Sequence, residues 1–171
     1  MTATPDSPDS LRKLRVLVTR PTHQADKLCQ MIEARGGKTV RLPLLSIVPV
    51  AQTSVPRRIL ENARDWDWWI FTSVNAVQHA RQLGVETWPA NLAAVGPATA
   101  AALESSGLAV ATPVGAYSSE GLLELPQFQE VGGRRLLIVT GEEGLAVLAP
   151  TLRQRGAQAE MAEVYRRVAL P

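Results

Sequence analysis

One pattern occurs twice along this chain. Val16-Leu17-Val18-Thr19 leads through an amphipathic stretch to Arg35-Gly36 and then to Lys38-Thr39-Val40-Arg41. Leu137-Ile138-Val139-Thr140 leads through another to Arg155-Gly156 and then to Gln158-Ala159-Glu160-Met161. The copies lie about 120 positions apart and match to within about one residue. Each reads as a strand, a turn, a helix closed by glycine and a second strand. Such a repeat restricts the chain to an α/β architecture, in which ligands meet the loops that follow strand ends.

Between the copies the alternation continues. Helices are expected over Pro56 to Ala63, Asn75 to Leu83, Pro97 to Ser105, Ser119 to Leu125 and Leu145 to Arg155. Strands are expected at Trp68 to Phe71, Leu92 to Val95, Leu108 to Thr112, Leu136 to Thr140 and Gln158 to Ala162. This spacing implies a parallel sheet with helices on both faces. Two segments break the rhythm. Pro43 to Pro49 is apolar but bracketed by prolines, so it reads as an extended connector, pairing at most at an edge. Val164-Tyr165-Arg166-Arg167 is its counterpart, a second crossing with Tyr165 at a hinge. The expected division is therefore a disordered tail (1–10), a strand–helix–strand piece of a first, discontinuous domain with its connector (11–48), a complete inserted domain (49–163) and a closing connector (164–171). The fold class is a parallel-sheet α/β domain inserted into a second α/β domain that is only partly present. The 11–48 piece cannot cover both faces of its own strands, which favours self-association through the incomplete domain.

Composition removes several functions. The 171 residues are 46% hydrophobic and 20% charged, with a net charge of +2, as in an ordinary globular protein. The basic pairs Arg12-Lys13, Arg57-Arg58, Arg134-Arg135 and Arg166-Arg167 are scattered, so no nucleic-acid footprint is expected. No apolar run is long enough to cross a bilayer, and the first ten residues lack the charge and apolar core of a signal or transit peptide. A cytoplasmic location follows as the expectation. Cys29 is the only cysteine; it sits among Leu28, Met31 and Ile32, where a small buried hydrophobe is the simpler role. His23 and His79 have no carboxylate spacing that suggests a metal site. Trp68 and Trp69 are adjacent in a strand, so they should face opposite sides of the sheet.

Three expected strand ends carry small polar residues before a helix: Thr72-Ser73-Val74-Asn75, Gly96-Pro97-Ala98-Thr99 and Thr140-Gly141-Glu142. Helix N-termini bring backbone N–H groups and a positive dipole end, which hold carboxylates or phosphates without lysine or arginine. Taken one at a time, Ser73 and Asn75 read as helix caps and Gly96 as a tight turn; three such loops on one sheet edge weaken that reading. Dinucleotide and phosphate-loop glycine patterns are absent, as is any Ser-His-Asp set.

Taken in order, five segments resemble one family. Val18-Thr19-Arg20-Pro21, Phe71-Thr72-Ser73-Val74-Asn75-Ala76-Val77, Ala94-Val95-Gly96-Pro97-Ala98-Thr99-Ala100, Ser119-Glu120-Gly121-Leu122-Leu123 and Val164-Tyr165-Arg166-Arg167 are similar to the uroporphyrinogen-III synthases. The resemblance implies two α/β domains joined by two extended strands, with the substrate between them. It also implies cyclisation of hydroxymethylbilane, a linear tetrapyrrole with eight carboxylates, to uroporphyrinogen III with inversion of the last ring and no cofactor or metal. It carries over Tyr165 as proton donor to the leaving hydroxyl, Ser73 and Thr99 as cleft residues, and Arg20 as a carboxylate partner. Thr72, Asn75, Gly96, Ser119 and Gly141 complete the expected binding set. Many relatives have arginine where this chain has Thr140. Family members continue for roughly another half domain, so the chain is expected to lack the C-terminal half of its terminal domain. Two readings stay open: a shortened synthase, or a non-catalytic polycarboxylate- or tetrapyrrole-binding module, including a domain completed by a second chain.

Overall fold

A computed structural model describes residues 10–105, 107–144 and 147–170. The expected tail therefore lies almost wholly outside the described residues. Contacts group the chain into two compact units, one comprising the chain up to Val48 and again from Arg167, the other Pro49–Arg166.

In the first unit, strand β1 (Arg15–Val18) pairs in parallel with β2 (Lys38–Arg41), and helix α1 (Thr22–Glu33) connects them. Ala25, Cys29 and Ile32 recur at helical spacing and bury one face of α1 with Val18. Arg41 and Asp26 tie β2 to α1 at 2.6 Å. The other side of this pair is open, and Leu17, Val40, Leu42 and Leu44 are exposed.

Six strands form one sheet in the order β3-β8-β7-β4-β5-β6: β3 (Leu45–Pro49), β4 (Trp68–Phe71), β5 (Leu92–Ala94), β6 (Val110–Ala111), β7 (Arg135–Gly141) and β8 (Gln158–Ala169). The second unit holds β4 to β7 and β8 as far as Arg166. β4 pairs in parallel with both β5 and β7, β5 with β6, and β7 with β8. Numbered within β4 to β8 this is the doubly wound order 3-2-1-4-5, and the order reverses between β4 and β7. Helices α2 (Ser54–Glu61), α3 (Val74–Gln82), α4 (Pro97–Glu104), α5 (Ser119–Leu123), α6 (Pro126–Gln129) and α7 (Leu148–Gln154) fill the connections.

Alternation along β4 and β7 separates two cores. Ile70, Leu136 and Ile138 pack with Leu122, Phe128, Leu148 and Leu152 of α5 to α7, and Trp68 meets Phe128 edge-on at 5.1 Å. The opposite face carries Trp69 and Phe71, which close around Trp88 at 5.9 Å each. On that side α3 lies against β4 and β7, and α4 against β5, with Ala76, Val77, Ala80, Ala100 and Leu103 buried. Each fully buried large apolar side chain contributes about 1.5–3 kcal/mol. At the starts of β4 and β7, Asp67 accepts hydrogen bonds from the Arg135 backbone N–H (2.8 Å) and the Arg134 guanidinium (3.0 Å).

Several expectations need correction. The Gln158–Ala162 strand is longer than expected: β8 runs on to Ala169, between β7 on one side and β3 on the other. The helix expected from Leu145 starts at Leu148, with Pro150 in its first turn where its missing N–H costs nothing; Leu145 and Ala146 lie outside the described residues. The helix expected over Ser119 to Leu125 stops at Leu123, because Pro126 starts the separate turn of α6.

Candidate active site

The strand order reverses between β4 and β7, and the C-terminal ends of strands at such a reversal are the usual ligand position in open α/β sheets. Thr72 and Ser73 leave β4 there, and Thr140 and Gly141 end β7. The Thr72 hydroxyl donates to Thr140 Oγ1 at 2.9 Å and lies 3.4 Å from the Val139 carbonyl. This bond holds the two diverging loops together. Ser73 adopts extended backbone geometry and caps α3, its Oγ accepting from the Ala76 N–H at 3.1 Å. The same Oγ lies 3.1 Å from the Tyr165 hydroxyl. Both explanations of Ser73, helix cap and site residue, therefore apply to one atom.

Tyr165 reaches that position through a β-bulge. Val139 pairs with Ala162 and Thr140 with Glu163, but Gly141 pairs with Tyr165. Val164 is the surplus residue, so Tyr165 takes the rung and the face that Val164 would otherwise occupy. Its ring then lies against Gly141, where any Cβ would come within 2.6 Å of the ring carbons. The Glu142 N–H donates to the Tyr165 carbonyl at 2.7 Å and fixes the backbone beside it. The expected hinge tyrosine is thus a strand residue, only 2% exposed. On the same side the His79 ring of α3 stacks on Tyr165, centroids 5.7 Å apart and planes inclined by 27°.

The remaining expected residues divide. Gly96 is the N-cap of α4, where an added Cβ would lie 3.8 Å from Tyr117 Cβ; Thr99, one turn into α4, is 5% exposed and faces inward. Asn75 is half-buried in the first turn of α3. Ser119 is not the cap of α5; Ser118 is, accepting from the Gly121 N–H at 3.1 Å. Ser119 Oγ is buried with no hydrogen-bond partner among the described residues. Hydrogen bonds from its own backbone N–H and from the Ser118 hydroxyl hold the Glu120 carboxyl below the usual range, so the start of α5 carries a negative charge that opposes an anion. Arg20 belongs to the other unit, at the exposed bend between β1 and α1. The structure therefore brings Thr72, Ser73, Gly141 and Tyr165 together with Thr140, which the sequence placed in the third strand-end loop, and with His79, which it did not assign to the site. A lone histidine in a helix carries no signal of its own.

Residues 26–171 match the family model described as uroporphyrinogen-III synthase HemD. The chain belongs to the uroporphyrinogen-III synthase family. It is 31% identical over 161 residues to the uroporphyrinogen-III synthase of Proteus mirabilis, covering 91% of this chain and 81% of that one. It is 32% identical over 162 residues to that of Salmonella typhimurium, again over 91% of this chain but 66% of the relative. A crystal structure of uroporphyrinogen III synthase from Thermus thermophilus superposes with a TM-score of 0.66 at 21% identity, covering 92% of this chain and 64% of that one. The shared fold is the mixed α/β, mostly parallel-sheet architecture described above. Measured against the Salmonella and Thermus proteins, the chain spans about two thirds of a family member's length.

Proposed function

We propose that this protein acts in tetrapyrrole biosynthesis as a uroporphyrinogen-III synthase, closing hydroxymethylbilane to uroporphyrinogen III with inversion of the last pyrrole ring. The observation that carries the reading is the convergence of Ser73, Gly141 and Tyr165 at the point where strand order reverses, in a chain of this family. In this reading the Tyr165 phenol gives its proton to the terminal hydroxyl of the substrate as the carbon–oxygen bond breaks. Water leaves, the pyrrole nitrogen supplies the electron pair that makes the azafulvenium ion, and loss of its N–H proton gives the azafulvene and balances the phenolate. Ser73 Oγ already accepts from the Ala76 N–H. Its own proton can then go to the phenol oxygen, which frees the phenol proton to face the substrate. Tyr165 is buried, so the leaving hydroxyl must come to it at the rim beside Ser73.

Thr72, Asn75, Gly96, Thr99, Ser119 and Gly141 are proposed to line the binding rim. Backbone N–H groups at the starts of α3 and α4 would receive substrate carboxylates, and Arg20 would pair with one more. The chemistry needs electron donation from pyrrole nitrogens and one acid, and the proposal includes no cofactor. We also propose the two-domain division of the sequence reading, with an inserted domain and a discontinuous terminal one, and a cytoplasmic location. Among the described residues no helix is long and apolar enough to cross a membrane.

The test is conversion of hydroxymethylbilane, followed by separation of the type I and type III products. Type III product that depends on Tyr165 supports the proposal. Only the spontaneous type I product from the wild-type protein refutes it. The exposed Leu17, Val40, Leu42 and Leu44 of the first unit favour a second reading, in which a second chain covers this face and the protein binds polycarboxylates without turning them over. Sedimentation of a monomer across the micromolar range argues against that reading.

A further inference from the structure

The proposed chemistry leaves one buried ring unused. His79 is 9% exposed and stacks on Tyr165. We propose that His79 is a positioning residue: its imidazole fixes the plane of the Tyr165 ring so that the phenol stays at Ser73. The inference rests on the assignment of Tyr165 to the reacting end of the site.

The phenol meets Ser73 at its tip and Gly141 along its ring. Gly141 brings no side chain that could stop the ring from swinging. The imidazole is the ring-shaped surface set against it. His79 rides on a well-anchored helix, with Ser73 capping α3 and Ala76, Val77 and Ala80 packed beneath it. A cavity of about 150 Å³ adjoins the imidazole, lined also by Pro49, Thr53, Arg57, Gln82 and Val164. Removal of the imidazole would merge its volume with this cavity and give the Tyr165 ring space to leave its place. Arg57 is the charged side chain that shares the cavity with His79. An apolar aromatic ring at position 79 should restore the geometry.

The chain has two tyrosines, so ¹³C-labelled tyrosine gives two sets of ring signals, assigned with Tyr117→Phe. In wild type, Tyr165 should show one well-dispersed set. His79→Ala should shift and average these signals, and His79→Phe should return them toward the wild-type positions. His79→Gln, a polar side chain without a ring, should behave like the alanine variant and replaces it if that variant does not fold. With hydroxymethylbilane, the Ala and Gln variants should lose about tenfold or more in kcat with KM within about twofold, and Phe should recover most of the loss. Tyr165 signals unchanged in both the Ala and Gln variants overturn the inference, as does a rise in KM with kcat intact. If the ring signals respond while the wild-type protein does not cyclise hydroxymethylbilane, the catalytic role of Tyr165 fails and the positioning role stands.

Discussion

The ring of Tyr165 rests on the backbone of Gly141, close enough that a single added carbon would lie 2.6 Å from it. Gly141→Ala must therefore push the phenol aside or reopen the β7–β8 pairing. Crowding of this kind costs about 1–3 kcal/mol of stability. Displacement of the phenol by about 1 Å should cost about a hundredfold in turnover. Thermal unfolding and the cyclisation assay, run on the same preparation, measure the two effects separately. Wild-type turnover in the alanine variant would show that the ring position does not matter.

Tyr165→Phe keeps the ring and removes only the hydroxyl. The lost hydrogen bond to Ser73 should cost about 1 kcal/mol. Loss of a general acid should lower kcat by about 10²–10⁴. The product should shift toward the type I isomer, as spontaneous closure competes. Chromatography of the oxidised porphyrins distinguishes the isomers.

Thr140→Val keeps the shape of the β7 end but removes the acceptor for the Thr72 hydroxyl. Because Thr72 Oγ1 also lies 3.4 Å from the Val139 carbonyl, the expected loss is small, about 0.5–1.5 kcal/mol. Denaturant midpoints at constant slope provide the measurement. A stabilised variant would show that the bond between the loops is not holding them.

Asp67 gives a pH signature remote from the site. The Arg135 backbone N–H, and then the Arg134 guanidinium, hold its carboxyl below the usual carboxylate range. A depressed folded-state pKa adds stability that is present above the unfolded-state value and is lost as the pH falls through the folded one. The acid limb of stability below about pH 4 should therefore flatten in Asp67→Asn. At neutral pH the variant should lose at most about 1 kcal/mol, because the pair is open to water. Unfolding midpoints of both proteins across pH 2–7 (about the range in which carboxyls titrate) measure this.

Glu120 places a negative charge where a polycarboxylate is proposed to bind. Glu120→Gln should tighten substrate binding, with KM lower by about two- to threefold at low ionic strength and little changed at high salt. An unchanged KM at low salt would place the substrate away from α5.

Periodicity made most of the scaffold legible. The Trp68–Phe71 strand, the α/β alternation and the two faces of the tryptophan pair all follow from spacing of 2 and 3.6. The length of β8 did not. Arg166 and Arg167 are exposed, as their charge suggests, but the strand continues past them to Ala169, and only pairing with strands distant in sequence keeps that segment extended. Ser73 was legible because capping and site chemistry both favour a small hydroxyl residue before a helix. Tyr165 was legible as a residue but not as a location, because a bulge depends on register between strands and leaves no mark in composition. His79 was invisible for a related reason. Its partner lies across a sheet face, and no local pattern reports a stacking neighbour.

Ser73 holds a helix end and a phenol with one oxygen atom. Position 73 therefore cannot be tuned for robustness alone. Aspartate is an equally good cap, yet it would set a carboxylate against the Tyr165 oxygen and claim the very proton the reaction is proposed to spend. A library screened only for heat resistance should accept that exchange, and the survivors would be sturdy proteins that no longer close the ring.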